Sequence, residues 1–481
     1  MPEQNEYTNP PRRRRRRRRR RVNYSAIIFW LVVVLIVVGI VAAVLTLTGP
    51  GSGDDNTTPS GTTEPITTPT TEPTTEPTTE STGPTDPPPV TKVGTATIGA
   101  TGDLVMHMPC VEPALNTSTG VYNFEHYFKY MKDYVAAVDY AVTNLETTLA
   151  GSDYVHSNGK VGYNGYPSFN CPDEIVTSMQ AVGFDMMLTA NNHTYDTLSK
   201  GFHRTQQVIK DAGMDYTGTV SSTDDTNYLV RDINGVKIGM ICYTFETNPD
   251  TDKVALNWGA PLSSKDAPLI NTFFVDDLAP FYAEMEDNIA AMEADGAEAI
   301  VLFIHWGAEY QLKPNSSQKN IAQEMCDRGV DVIVGGHPHV IQPIDLLTSN
   351  TDPDHKTVCL YSTGNFLSNQ RLGLISASKT AHTEDGVFFS FSFAKYSDGT
   401  VRLEDVQLLP FWVNKHKDSS TGKNVYDILP LDKQIEDWKT QFDLTTSTLS
   451  QAEDSYDRTM DLVTEGMNEI REYLNSLPEV E

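Results

Sequence analysis

The stretch that decides the fold is "DEIVTSMQAVGFDMMLTANNHTYD", residues 173–196. It reads as a helix, a glycine stop at Gly183 and a short apolar strand, Met186 to Leu188. The strand ends abruptly in Asn191, Asn192 and His193, with Asp196 just beyond. Two amides, an imidazole and a carboxylate stand where a buried strand need only turn. That pattern points to one corner of a metal site.

The same plan recurs on both sides. "ATIGATGD" (96–103) is a strand ending in a Gly-Asp turn, and "VDYAVTNLET" (138–147) is a strand ending in polar residues. "FYAEMEDNIAAMEADGAEAIVLFIHWGAE" (281–309) and "SQKNIAQEMCDRGVDVIVGGHPHV" (317–340) are each a helix followed by an apolar strand. "KTVCLYSTGNF" (356–366) adds one more strand. Hairpins are expected to turn at Asn234-Gly235 and Asp398-Gly399. This mixture predicts an α/β domain in which helices cover a sheet or a pair of sheets.

The rest of the 481 residues is uneven. Arg12 to Arg21 are ten consecutive arginines, followed by twenty apolar residues, Ala26 to Leu45. Twenty apolar residues match the hydrocarbon thickness of a bilayer. The run is longer than the apolar part of a signal peptide and no clean A-x-A site follows, which favours an uncleaved anchor. The arginines place residues 1–25 in the cytoplasm and everything beyond the span outside the cell. Residues 49–92 repeat variants of T-T-E-P and carry few large apolar groups, so they are expected to be a disordered stalk. A folded domain over 93–420 and a polar helical extension over 421–481 complete the expected organisation.

The chain carries 36 Lys and Arg against 64 Asp and Glu, a net charge of −28. Setting aside the ten arginines and Glu3 and Glu6 leaves 26 against 62, or −36. Such a balance argues against nucleic acid or any polyanion held by diffuse attraction. An anionic substrate needs a local, metal-assisted site. None of the five cysteines has C-x-x-C spacing, which excludes zinc-ribbon and thioredoxin readings. Cys242 and Cys359 sit in strand-like runs. Cys110 and Cys171 lie in loop-like sequence, which leaves a disulfide between them open.

Polar residues concentrate at the carboxyl ends of the strands, the edge where α/β sheets bind ligands. Those ends supply Asp103, with His107 beyond it; Asn144 and Glu146; Asn192, His193 and Asp196; His305 and Glu309; and His337 and His339, followed by Asn365. A lone Asp or His at a strand end is ordinarily a turn or a structural hydrogen bond. The set is more specific, and His337-Pro338-His339 most of all. Carboxylates, an amide and imidazoles together suit one or two divalent ions such as zinc, manganese or iron. Such ions turn bound water into hydroxide and clamp phosphoryl or carbonyl oxygens. His193, oriented by Asp196, is the candidate to protonate a leaving group.

In this order, "GDLVMH", "NLETTLAG", "GFDMMLTANNHTYD", "HWGAEY" and "GGHPHVIQP" resemble the CapA family of capsule-synthesis proteins. The resemblance covers roughly residues 95 to 415. That family is linked to poly-γ-glutamate capsules and to the calcineurin-like metallophosphoesterase superfamily. The resemblance implies a four-layer α/β/β/α sandwich with a two-metal edge. It implies that Asp103, Glu146, Asn192, His305, His337 and His339 are metal ligands and that His193 is the proton donor. One position departs: the superfamily's first block is D-x-H, and here Val105 stands at the histidine's place. Three functions are then in contention. They are a membrane-anchored extracellular metal-dependent hydrolase of phosphoester or polymer linkages, a non-catalytic component of a capsule or envelope polymer assembly, and a purely structural surface protein.

Overall fold

The computed structural model describes residues 89–247, 253–419, 421–432 and 435–478, which belong to one compact unit beginning at Pro88. The arginine run, the expected span at 26–48 and nearly all of the expected stalk lie outside the described residues. Among the described residues no helix is long and apolar enough to cross a membrane.

Two sheets face each other. The first has the order β15-β14-β13-β1-β2-β3-β4. Its members are β1 (Lys92–Leu104), β2 (Tyr140–Asn144), β3 (Met186–Leu188), β4 (Asp215–Thr217), β13 (Asp385–Tyr396), β14 (Val401–Lys417) and β15 (Asn424–Pro430). β1 to β4 run parallel, and β13 to β15 continue the sheet antiparallel. The short β12 (Asn365–Leu367) pairs beside the end of β1. The second sheet has the order β7-β6-β8-β9-β11-β10, with β5 on β6. These are β5 (Leu229–Ile233), β6 (Val236–Phe245), β7 (Thr272–Phe273), β8 (Ala299–His305), β9 (Val332–Gly336), β10 (Ile344–Thr348) and β11 (Lys356–Leu360).

The apolar pattern accounts for the layering. Ile98, Val142 and Met186 of the first sheet meet Met240, Val301 and Val332 of the second in one buried core. The alternate residues face outward. Ala141 and Met187 pack against helices α1 (Glu174–Val182) and α2 (Leu198–Asp211). Ile241, Leu302 and Ile333 pack against α3 (Ala279–Ala294) and α4 (Ser316–Cys326). A strand covered on both faces must be apolar throughout, and "AIVLFIH" of β8 is. Each such buried Val, Ile or Leu contributes roughly 1.5–3 kcal/mol. The layers are therefore helices, sheet, sheet, helices.

α1 ends where Gly183 takes a left-handed φ of 118°. The β5–β6 hairpin turns at Asn234 and Gly235, both with positive φ. The residues expected as a helical extension, 421–481, are built into this unit. β15 pairs with β14 from Phe411↔Pro430 to Lys417↔Asn424. The long helix α6 (Thr446–Ser476), preceded by α5 (Ile435–Gln441), places Val463, Met467 and Ile470 in the inter-sheet core beside β10 and β14. Arg458 and Ser455 of α6 bind buried Asp385 at the start of β13. All five cysteines are free and buried, Cys110 and Cys171 included.

Candidate metal centre

The parallel strands of both sheets end at one edge. Register fixes the level, because Asp103 lies opposite Asn144, Asn144 opposite Leu188, and His305 opposite Gly336. β1 therefore delivers Asp103, the turn after β2 delivers Glu146, and the turn after β3 delivers Asn192 and His193. β8 ends in His305, and the turn after β9 carries His337 and His339. Every one of these side chains is buried.

Glu146 is the hub. Its carboxylate oxygen Oε1 lies 3.5 Å from His305 Nε2, 3.8 Å from His339 Nε2 and 3.9 Å from His193 Nε2. Neither Glu146 oxygen has a hydrogen-bond partner, although the residue is fully buried. Two groups of ligand atoms share it: Asp103, Glu146 and His305, and Glu146, His337 and His339. Within the cluster, Asp103 Oδ2 is 3.1 Å from His339 Nδ1, and His305 Nε2 is 2.8 Å from Asn192 Oδ1 and 3.2 Å from His337 Nδ1. Nitrogen and oxygen ligand atoms converge without a proton donor for Glu146. A divalent cation fits that vacancy of charge, and the donor set suits manganese, iron or zinc.

Backbone and neighbouring amides hold the cluster in place. His337 and His339 both have left-handed φ, 94° and 56°, around Pro338. Such strain costs about 1–3 kcal/mol per residue and collects at functional sites. The backbone N–H of His337 donates to Asp103 at 3.2 Å. A Cβ on Gly336 would stand 3.0 Å from Asp103 Oδ1, so any larger residue there would require the carboxylate to give by a few tenths of an ångström. Asn144 Nδ2 donates to Asp103 at 2.7 Å, and Asn191 Nδ2 donates to Asn144 Oδ1 at 3.0 Å. Asn365 ties down the turn by donating to the carbonyls of His339 and Thr383.

The electrostatics follow from crowding acids and imidazoles in a dry place. Burial alone would raise the Asp103 carboxyl, but hydrogen bonding and charge from His339, with His305 and Asn144, hold it below its ordinary value. Burial opposes charge on His339, yet Glu146 and Asp103 push it up to about 9. Burial, then His305 and His339, keep His337 well below its usual range and therefore neutral. Burial likewise opposes charge on His193, and Asp196, then Glu146, outweigh it and raise its pKa. The acids draw protons onto His339 and His193. A metal ion competes for the same field.

His193 and Asp196 form a separate pair. Asp196 Oδ2 lies 2.7 Å from His193 Nδ1, so the other ring nitrogen is the one turned toward Glu146. The backbone N–H of Phe169 donates to the same Asp196 oxygen at 2.6 Å. Asn257 Nδ2 donates to Asp196 Oδ1 and lies 3.2 Å from His193 Nδ1. Asn257 was not foreseen from sequence, because an Asn-Trp-Gly turn 61 residues away from Asp196 carries no chemical pattern. Two expected contributors fall outside the cluster. His107 Nδ1 lies 3.1 Å from the Val105 carbonyl, its ring packs edge-on against Phe169, and burial lowers its pKa to about 4. Glu309 is half-buried, and its charge helps raise His339. Val105, at the place of the D-x-H histidine, is a buried apolar residue.

Comparison with known proteins agrees with the motif order. Residues 97–370 match the family described as bacterial capsule synthesis protein PGA_cap. The chain belongs to that family. It is 29% identical over 250 residues to the capsule biosynthesis protein CapA of Bacillus anthracis, a match covering 52% of this chain and 55% of that one. The chain thus spans about half the length of that relative. It is 25% identical over 330 residues to the PGA biosynthesis protein CapA of Bacillus subtilis strain 168, covering 66% of this chain and 76% of that one. Among solved structures, Haemophilus influenzae NAD nucleotidase aligns with a TM-score of 0.39 at 13% identity, over 78% of this chain and 61% of that one. That similarity is too loose to carry function.

Proposed function

We propose that this PGA_cap-family protein is a metal-dependent hydrolase of phosphoester or polymer linkages, acting in capsule or surface-polymer biosynthesis. The observation that carries the proposal is Glu146, a fully buried carboxylate with both oxygens unpartnered and shared by two groups of ligand atoms. A buried charge left so would cost several kcal/mol unless a cation completes it. Asp103, Glu146, Asn192, His305, His337 and His339 would hold one or two divalent ions. Bound there, such ions supply an activated water and a Lewis-acid clamp for phosphoryl oxygens.

The chain's own residues do the rest. Asp196 fixes Nδ1–H of His193 and favours the imidazolium, so that Nε2–H can be donated to a departing oxygen. Asn257 donates to the Asp196 oxygen that His193 does not engage. Asn144 and the His337 N–H keep the Asp103 carboxylate aimed at the cluster. Burial of the whole edge excludes competing water. The apolar run 26–45 and the arginines before it support a single-pass anchor with this domain outside the cell, a position suited to envelope-polymer machinery.

A second reading is a non-catalytic component of a polymer export or anchoring complex, in which the cluster binds a ligand without turnover. The observation favouring it is buried Val105 at the D-x-H histidine's position, which removes one nitrogen ligand. The test uses full-length chain purified without a metal-binding tag. Divalent ions near two per chain, lost in an Asn192→Ala/His339→Ala variant, together with turnover of bis(p-nitrophenyl) phosphate lost in His193→Ala, are expected. Bound metal without turnover of any phosphoester or polymer tried would favour the second reading. A folded protein that stays metal-free after incubation with manganese, iron and zinc would sink the hydrolase and favour the second reading.

A further inference from the structure

The turn that aims Asn257 inward at Asp196 pushes its neighbour outward. Asn257, Trp258 and Gly259 have φ of 38°, 60° and 85°, all left-handed. The turn closes a two-stranded ribbon, Ala255–Leu256 with Ala260–Pro261, and Gly259 N–H donates to Thr247 Oγ1 at 3.2 Å. Trp258 is 77% exposed, whereas Trp306, Trp412 and Trp438 are fully buried. Strained non-glycine backbone and a large ring in water are both unfavourable, and together they favour a functional placement. Asn257 also donates to the carbonyl of Pro167 at 2.8 Å. The residue before that proline is Tyr166, 50% exposed. Tyr310, again left-handed at 63°, stands with its ring 6.2 Å from that of His339. Burial, then the charges of Glu309, Tyr166 and Glu146, raise the Tyr310 hydroxyl above its ordinary value.

We propose that Trp258, with Tyr166 and Tyr310, forms a subsite for the uncharged ring of a phosphoester whose phosphate enters the cluster at Glu146. The proposal rests on the hydrolase reading above. Trp258 and Tyr166 are exposed and uncharged, so the rim suits a neutral flank. A saccharide or aryl ring presents a flat face that an aromatic side chain can cover at little conformational cost.

The test measures affinity by calorimetry on full-length, manganese-loaded chain in a His193→Ala background, which keeps esters intact. Glucose 1-phosphate and p-nitrophenyl phosphate are compared with inorganic phosphate, with and without Trp258→Ala. The expected result is a loss of roughly five- to tenfold for at least one ring-bearing ester, no change for inorganic phosphate, and recovery of most of the loss in Trp258→Phe. Which ester responds more separates the saccharide from the aryl source. Unchanged affinity for both esters, or an equal loss for inorganic phosphate, would overturn the subsite while leaving the cluster intact. No binding of any of the three, inorganic phosphate included, would overturn the reading of the cluster and the subsite with it.

Discussion

Two buried carboxylates show how differently this domain treats negative charge. Asp385, where α6 crosses the start of β13, is paired on every side: Arg458 donates to both oxygens, at 2.9 and 2.7 Å, and Ser455 adds a bond of 2.6 Å. Glu146, at the strand-end edge, is equally buried and has no hydrogen bond. Asp385 is complete in itself and fastens a helix. Glu146 is incomplete and has imidazoles 3.5 to 3.9 Å away, a spacing that leaves room for ions rather than direct bonds. Burial alone therefore does not mark a functional acid. What sets Glu146 apart is that neither of its oxygens has a hydrogen bond.

The comparison can be broken most easily at Glu146. Glu146→Gln should abolish stoichiometric metal, weakening it more than about 100-fold, since changes even behind metal ligands cost 10–100-fold. It should leave the metal-free protein no less stable than wild type, and more stable if the charge is uncompensated, because it removes a buried carboxylate without losing a hydrogen bond. Metal analysis and urea unfolding of the same sample check both halves. Next in size, His193→Ala should lower phosphodiester turnover by about 10²–10⁴-fold with metal retained. Equal loss of metal would show that His193 is a ligand instead of a proton donor. Arg458→Ala should act in the opposite sense to Glu146→Gln. It should cost about 3–5 kcal/mol by stranding Asp385, with metal content unchanged. A variant as stable as wild type would mean that α6 is not fastened by this pair.

The smallest effect is a pH dependence. Burial raises the Asp385 pKa to about 6, against the opposing pull of Arg458 and Ser455, with Glu384 adding to the rise. His382 Nδ1 faces it at 3.7 Å. The unfolded value is about 4, so between pH ~4 and ~6 the folded state binds more protons than the unfolded. Stability from this group therefore falls as pH rises through that window, by about 2–3 kcal/mol in all, and is level above it. Urea unfolding of wild type minus Asp385→Asn should show that slope. A flat difference would mean that Arg458 holds Asp385 ionised throughout.

Much of the site edge was legible because each ligand candidate follows an apolar strand within a few residues, and strand polarity then brings the ends together. The residues from Asp103 to His339 needed no knowledge of distance. What could not be read depends on contacts between remote loops. Asn257 meets Asp196 across 61 residues through a turn of unremarkable composition. His107, a strand-end candidate two residues beyond Val105, packs edge-on against Phe169, which also packs edge-on against His193. At the C-terminus, Val463, Met467 and Ile470 are sparse among charged residues, so α6 read as polar although its single apolar stripe enters the core. β15 was hidden for a related reason: edge pairing is set by β14, not by its own seven residues.

The most direct test of the account compares thermal unfolding of metal-stripped wild type and Glu146→Gln, each with and without added manganese or zinc. A ligand that binds only the folded state stabilises it by about 2.7 kcal/mol at 100 times its dissociation constant. Wild type should gain several degrees with metal, and the variant, no less stable than wild type when stripped, should gain almost nothing. A wild type that does not respond, or a variant that responds equally, would contradict the claim that Glu146 is the centre of a metal site.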